Sequence, residues 1–101
     1  MLFMRVHVMK KEKTRILAVC DGELIGKLLK DGERTLDLGK YGSFYGEKKV
    51  SEKEIAREIA RATSMNFVGE KAVEIALRAG VASERDVVHI AKVPHVQVYK
   101  I

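Results

Sequence analysis

The sequence predicts an α+β domain: a mixed or antiparallel sheet with helices packed on it, in the order β-β-α-β-α-α-β-β. Three observations predict it. Short runs near both ends alternate apolar and polar residues, the two-residue period of a strand. Two middle segments, after Ser51 and after Asn66, place apolar residues at helical spacing. Strands and helices do not alternate strictly, which disfavours a parallel βαβ architecture. At 101 residues with 47% hydrophobic content, the chain reads as a single domain over residues 1–101 with enough apolar surface for a core.

In a first strand, Leu2, Met4, Val6 and Val8 share one face, with Phe3, Arg5, His7 and Met9 on the other. Lys10-Lys11-Glu12-Lys13 is a polar hairpin turn into a second strand over residues 14–20. Asp21 then reads as the N-cap of a short helix over residues 23–30, with Glu23 early and Lys30 late, as the helix dipole favours. Leu24 and Leu28 give it an apolar stripe, Gly26 marks close packing, and Asp31-Gly32 closes it. Residues 34–38 form a third strand with Leu36 and Leu38 inward. Residues 39–50 hold three glycines, three aromatics and three lysines, and read as an irregular loop with a short strand at 43–45.

Ser51-Glu52-Lys53-Glu54 is a capping box: the serine caps the helix and the glutamate three residues on reaches back. That helix runs to about Ala62 and buries Ile55, Ile59 and Ala62. A second helix follows Asn66, its cap, and runs to about Ala79, with Gly80 as its stop. Val68, Ala72, Ile75, Ala76 and Ala79 form its core stripe. Residues 83–86 are a single capped turn and 87–91 a short strand. Lys92-Val93-Pro94 is a corner, because proline cannot donate to a ladder. In the last strand Val96, Val98 and Ile101 face one way, and His95, Gln97 and Tyr99 the other.

Formal net charge is +5, and the surplus sits in residues 1–50, which hold 11 Lys/Arg against 7 Asp/Glu; residues 51–101 hold 8 against 7. A basic half suits a polyanionic partner such as nucleic acid, with ordinary surface solubility as the alternative. Only Asn66 and Gln97 carry side-chain amides, while Lys and Glu abound, a bias like that of hyperthermophile proteins; a Lys/Glu-rich mesophilic protein is the alternative. No apolar run is long enough to span a membrane, and the start lacks the pattern of a signal peptide, so a cytoplasmic location is expected. The single Cys20 excludes an internal disulfide and a multi-cysteine zinc site. His7, His89 and His95 lack metal-ligand spacing, and no nucleotide-loop, metalloprotease or nucleophile-elbow pattern is present. No cofactor and no metal are expected.

Two clusters suit single-stranded RNA, which is gripped by cations on phosphates and aromatic rings under bases. Lys10, Lys11 and Lys13 gather at the first hairpin. Lys40, Lys48 and Lys49 flank Tyr41, Phe44 and Tyr45. The alternative is that the aromatics pack over the core edge and the lysines are solvated. The stretch from Asn66 to Lys71 is a candidate phosphate point, because a helix start leaves backbone N–H groups unpartnered. There Asn66 is the cap, Gly69 permits close approach and Lys71 adds a cation; Gly69 also suits plain close packing. His95 with Gln97 is the best candidate for a polar site. Glu70 suits the helix dipole better than general-base chemistry. Cys20 reads as a buried, inert thiol.

Asn66-Phe67-Val68-Gly69-Glu70-Lys71-Ala72-Val73, with Ser43-Phe44-Tyr45-Gly46-Glu47 before it and Val93-Pro94-His95-Val96-Gln97 after it, resembles the archaeal family called domain of unknown function 424. Its members carry Phe-Tyr-Gly, Asn-x-x-Gly-Glu-Arg/Lys-Ala-Val and Val-Pro-His-Ala-Gln in this order; here Val96 stands for the usual alanine. The resemblance covers nearly the whole chain and implies a small archaeal cytoplasmic protein. It brings no catalytic residues, because the family has no established activity. The three motifs are candidates for one shared site. The leading expectation is a non-enzymatic accessory protein that binds RNA or a ribonucleoprotein in translation or RNA processing. The alternatives are a protein-interaction module anchored by the aromatic loop, and a small-ligand enzyme using His95 and Glu70.

Overall fold

The computed structural model describes residues 1–39, 42–46 and 48–100, with Gly42 and Ser43 described by backbone alone. The antiparallel strands β1 (Leu2–Met9) and β2 (Thr14–Asp21) open the chain, with Leu2 opposite Asp21 and Met9 opposite Thr14. A 3-10 turn at Gly22–Leu24 leads into the hairpin β3 (Leu28–Asp31) and β4 (Arg34–Asp37). The one-turn helix α1 (Gly42–Tyr45), the strand β5 (Lys48–Val50) and the helix α2 (Glu52–Arg61) follow. Next come β6 (Ser64–Val68) and α3 (Glu70–Arg78), then a 3-10 turn at Glu84–Asp86, β7 (Val88–Ile90) and β8 (Val93–Tyr99). Six strands make one sheet in the order β5-β1-β2-β6-β8-β7, while β3 and β4 form their own two-stranded sheet. Among the described residues only the β2–β6 pairing is parallel, so the fold is α+β with a mixed sheet.

The helices α2 and α3 cover one face. Ile55 and Ile59 of α2, with Ala72, Val73, Ile75 and Ala76 of α3, pack on Leu2, Leu17, Val19, Met65, Phe67 and Val96 from the strands. The Ser51–Glu54 capping box is present with both of its hydrogen bonds. Arg15 near the start of β2 reaches Glu58 of α2 at 2.8 Å, and the Lys100 Nζ donates to the Ile59 carbonyl in the last turn of that helix at 2.6 Å. Each ties a strand end to a helix end of matching charge preference.

On the opposite face, Ala18, Cys20 and Val68 are buried under Leu24, Leu38 and Tyr45, with Leu29, Leu36 and Phe44 packed around them. Cover there comes from Leu24 to Leu38 and from Phe44 and Tyr45, and the first of these segments differs from the expected helix over 23–30. Leucines at helical spacing favour a helix locally, but Gly26 and Gly32 sit at φ 92 and 62, which right-handed helix cannot accommodate. The turn falls at Gly32-Glu33 rather than Asp31-Gly32, and it is the tip of the β3–β4 hairpin, Asp31 in the strand opposite Arg34. Residues 43–45 belong to α1 rather than a strand.

Two further expectations are corrected. Asn66 does not cap α3: it lies in mid-strand in β6, opposite Ala18 and Gln97, and the helix starts later, with Gly69 at its N-cap position. Met65 and Phe67 alternate with Ser64, Asn66 and Val68, so Val68 faces away from the helices and Ala79 is exposed. The corner before β8 lies at Ala91-Lys92, both at positive φ as a two-residue hairpin requires, and Pro94 sits inside the strand with its carbonyl accepting from the Gly69 N–H at 2.9 Å. Ile101 lies outside the described residues.

One junction locks β2 to α3. Asp21 is the one buried charged side chain among the described residues. Its carboxylate accepts from the Ala72 N–H at 2.8 Å and the Lys71 N–H at 3.1 Å, so the cap of α3 comes from another strand. Burial raises the Asp21 pKa above its ordinary value, opposed by those two hydrogen bonds. The carboxylate fits because Gly69 has no side chain: a Cβ there would fall onto the Asp21 carboxyl group, and Gly69 is at φ 108. Gly69→Ala should therefore cost on the order of 3 kcal/mol, combining backbone strain with displacement of the cap. Urea unfolding checks this; a loss below about 1 kcal/mol would mean the junction yields easily.

Candidate functional site

Strand register arranges the opposite face in rows, because residues directly across a ladder point the same way. One row runs Phe3, Cys20, Val68, His95 and Val88. The next runs Arg5, Ala18, Asn66 and Gln97, and a third His7, Ile16, Ser64 and Tyr99. Cover from Leu24, Leu38 and Tyr45 lies over the first row and Ala18. Beyond it Asn66 and Ser64 are half-buried, Gln97 is exposed, and Tyr99 is 74% exposed. Four strands at roughly 4.8 Å spacing give these rows a width of about 14 Å. The β1–β2 loop with Lys10, Lys11 and Lys13, all exposed, lies past the third row.

Of the residues singled out from sequence, the fold gathers Asn66, His95 and Gln97 on this face. Asn66 is directly opposite Gln97, and His95 faces Val68 one step further along the same side. Phe44 joins them at the β1 side: its ring stacks on His7 at 4.5 Å, and the His7 Nε2 donates to the Phe44 carbonyl at 2.9 Å. Each of the three sequence motifs thus contributes to one face. Gly46, the glycine of the first, lies so close to β1 that a Cβ would fall onto the Met4 carbonyl.

The remaining candidates are dispersed. Tyr45 is buried and edge-on to Phe44, so its ring is taken up in the core rather than offered to a base; burial pushes its hydroxyl up to about 12. Strand alternation separates Lys48 from Lys49: Lys48, opposite Met4, lies beside Glu54 and Arg57 on the helical side, and Lys49 is opposite Phe3. Lys40 lies outside the described residues. At the start of α3, Gly69 is buried and the Lys71 and Ala72 N–H groups hold the Asp21 carboxylate, so an anion meets a negative charge there rather than free donors. The exposed Lys71 is on the helix, away from Asn66. Cys20 is buried, and burial, then Asp21, pushes its thiol up to about 12, which suits an inert role.

Glu70 and His95 do not share a cavity. Glu70 lines a groove of about 450 Å³ between α3 and β7 with Glu74, Glu84, Val73, Leu77, Lys92 and Pro94. His95 is on the other side of β8, which leaves the small-ligand enzyme without paired groups. Three carboxylates against one lysine also make that groove unfavourable for a polyanion. Among the described residues no cluster of three or more His, Cys, Asp or Glu is placed to hold a metal, and no helix is long and apolar enough to cross a membrane.

Sequence reasoning did not select Tyr99 or Ser64, although the alternation through His95, Gln97 and Tyr99 already placed the tyrosine on the right face. It also missed Asp21 as the cap of α3, a contact 50 residues apart in sequence with no local signature. His95 has its Nε2 buried without a partner, and burial lowers its pKa from the ordinary 6.5. A lowered folded pKa means the unfolded chain binds the proton better, so stability is full above 6.5 and falls as pH drops through the lowered value. Urea unfolding at about pH 7.5 and about pH 5.5 should show a loss on acidification that shrinks in His95→Gln; an equal loss in both proteins would assign it elsewhere.

A family model described as protein of unknown function (DUF424) matches residues 9–101. The fold is similar to the crystal structure of an uncharacterized conserved protein from Methanopyrus kandleri, with a TM-score of 0.80 and 30% sequence identity over 99% of this chain and 91% of that one. Comparison with curated proteins finds no match.

Proposed function

The chain belongs to the DUF424 family, and we propose that it binds single-stranded RNA, free or within a ribonucleoprotein, on the uncovered rows of its sheet, acting as a non-enzymatic accessory factor in translation or RNA processing. The observation that carries this reading is the 74% exposed Tyr99, set on an open sheet face that ends at three exposed lysines. Single-stranded RNA is held by stacking of unpaired bases on aromatic rings and by cations on its phosphates, and an open sheet presents both at fixed spacing. Helices occupy the other face, and the acidic groove beside α3 repels a polyanion, whereas the β1–β2 loop beyond the sheet rows sets three exposed lysines against the single carboxylate of Glu12. The Methanopyrus neighbour agrees with an archaeal source. A protein partner is the second reading, favoured by the same groove, whose apolar floor of Val73, Leu77 and Pro94 under acidic walls suits a basic segment.

Fluorescence anisotropy with a labelled mixed-sequence octaribonucleotide, across a potassium chloride series, tests the first reading. Each phosphate-bound cation adds about 0.7 to the logarithmic salt slope on single strands, so Lys10→Glu, Lys11→Glu and Lys13→Glu combined should weaken binding and flatten the slope by about 2. Tyr99→Ala should cost about 1–3 kcal/mol of affinity with the slope intact. Binding unchanged in both variants would remove this face from the account.

A further inference from the structure

The only two side-chain amides in the chain, Asn66 and Gln97, sit directly opposite each other on the uncovered face. Neither amide hydrogen-bonds to another described residue, and in the adjacent row the buried His95 Nε2 also lacks a partner. Directly opposed residues in an antiparallel pair place their Cβ atoms about 5 Å apart. Tyr99 is two residues along β8 from Gln97, on the same side and about 7 Å away. A base lying against the Tyr99 ring therefore presents its edge to two adjacent carboxamides.

From this geometry we propose that Asn66 and Gln97 read the edge of an adenine stacked on Tyr99, an inference that rests on the RNA reading of the same face. A carboxamide offers a donor and an acceptor side by side. Adenine has an amino group with an acceptor on each flank, N7 on one side and N1 on the other, and so matches two carboxamides at once. Cytosine matches on one flank only, since its other neighbour is a C–H. Uracil is limited in the same way. Guanine matches a carboxamide on one flank, at O6 and N1–H, but its other flank presents two adjacent acceptors at O6 and N7, where a second carboxamide cannot satisfy both. Lysines at the loop then supply affinity without regard to sequence, and the amide pair supplies the choice of base.

The test compares octaadenylate, octacytidylate and octauridylate binding to the full chain at one salt concentration. Octaadenylate should bind about tenfold tighter than the other two. Gln97→Ala, an exposed site where folding is not at stake, should remove most of that preference, and Asn66→Ala with Gln97→Ala should bring octaadenylate to within about twofold of octauridylate, which loses the less of the two because it matches one carboxamide only. The triple lysine variant should weaken all three equally. Equal affinities for the three oligomers in the native protein, or an adenine preference that survives in the double variant, would overturn the amide assignment alone. Absence of binding to all three would overturn it together with the RNA reading.

Discussion

The carboxylate of Asp21 sits where β2 ends and α3 begins, and the arrangement of both faces depends on it. A buried carboxylate is costly unless its oxygens are hydrogen-bonded, and here the two N–H groups of Lys71 and Ala72 and the positive end of the helix offset that cost. Its position requires β2 and β6 to run parallel, because Cys20 must lie beside Val68 for Asp21 to reach the turn that follows. It also requires a bare backbone at Gly69. With the helix start engaged in this way, the anion site that such a terminus usually offers is consumed internally. What remains open for a ligand is the far side of the sheet, where Leu24, Leu38 and Tyr45 cover Ala18, Cys20 and Val68 and Phe44 lies on His7, leaving the rows across β6 and β8 uncovered.

Local patterns carried much of this fold. The Ser51–Glu54 box, the β1–β2 hairpin and the alternation of β8 are each set by residues within a few positions of one another, and each was legible. The segment after Asp21 was not. Its leucines, glutamate and lysines satisfy a helical template, and only the positive φ at Gly26 and Gly32 and the pairing with β4 reveal a hairpin. Asn66 misled for a related reason. Asparagine favours caps over strands, yet the neighbours Met65 and Phe67 are both buried on the helical side, and their burial outweighs the preference of one residue.

The candidate site was partly legible on the same terms. His95 and Gln97 could be placed on one face from strand alternation alone. Their meeting with Asn66 depends on the β6–β8 register, a long-range property that no window of sequence encodes. The aromatic loop divides for the opposite reason: Tyr45 fills the space above Ala18, Cys20 and Val68, while Phe44 lies on His7 at the edge. The exposed ring that the RNA reading uses is Tyr99, from a strand that also supplies His95 and Gln97. Charge follows the same separation, with lysines beyond the open rows and carboxylates walling the groove beside α3.

Because the chain has one asparagine and one glutamine, its side-chain amide spectrum holds one pair of NH2 resonances for each. Titrating the ¹⁵N-labelled protein with an octaribonucleotide and following those pairs alongside the backbone amides tests the central claim most directly. The account predicts saturable shifts in both side-chain pairs, and in the backbone of the β1–β2 loop and residues 95–99, with α2 and α3 unmoved. Shifts confined to the helices or to the groove between α3 and β7, or none at all, would contradict it.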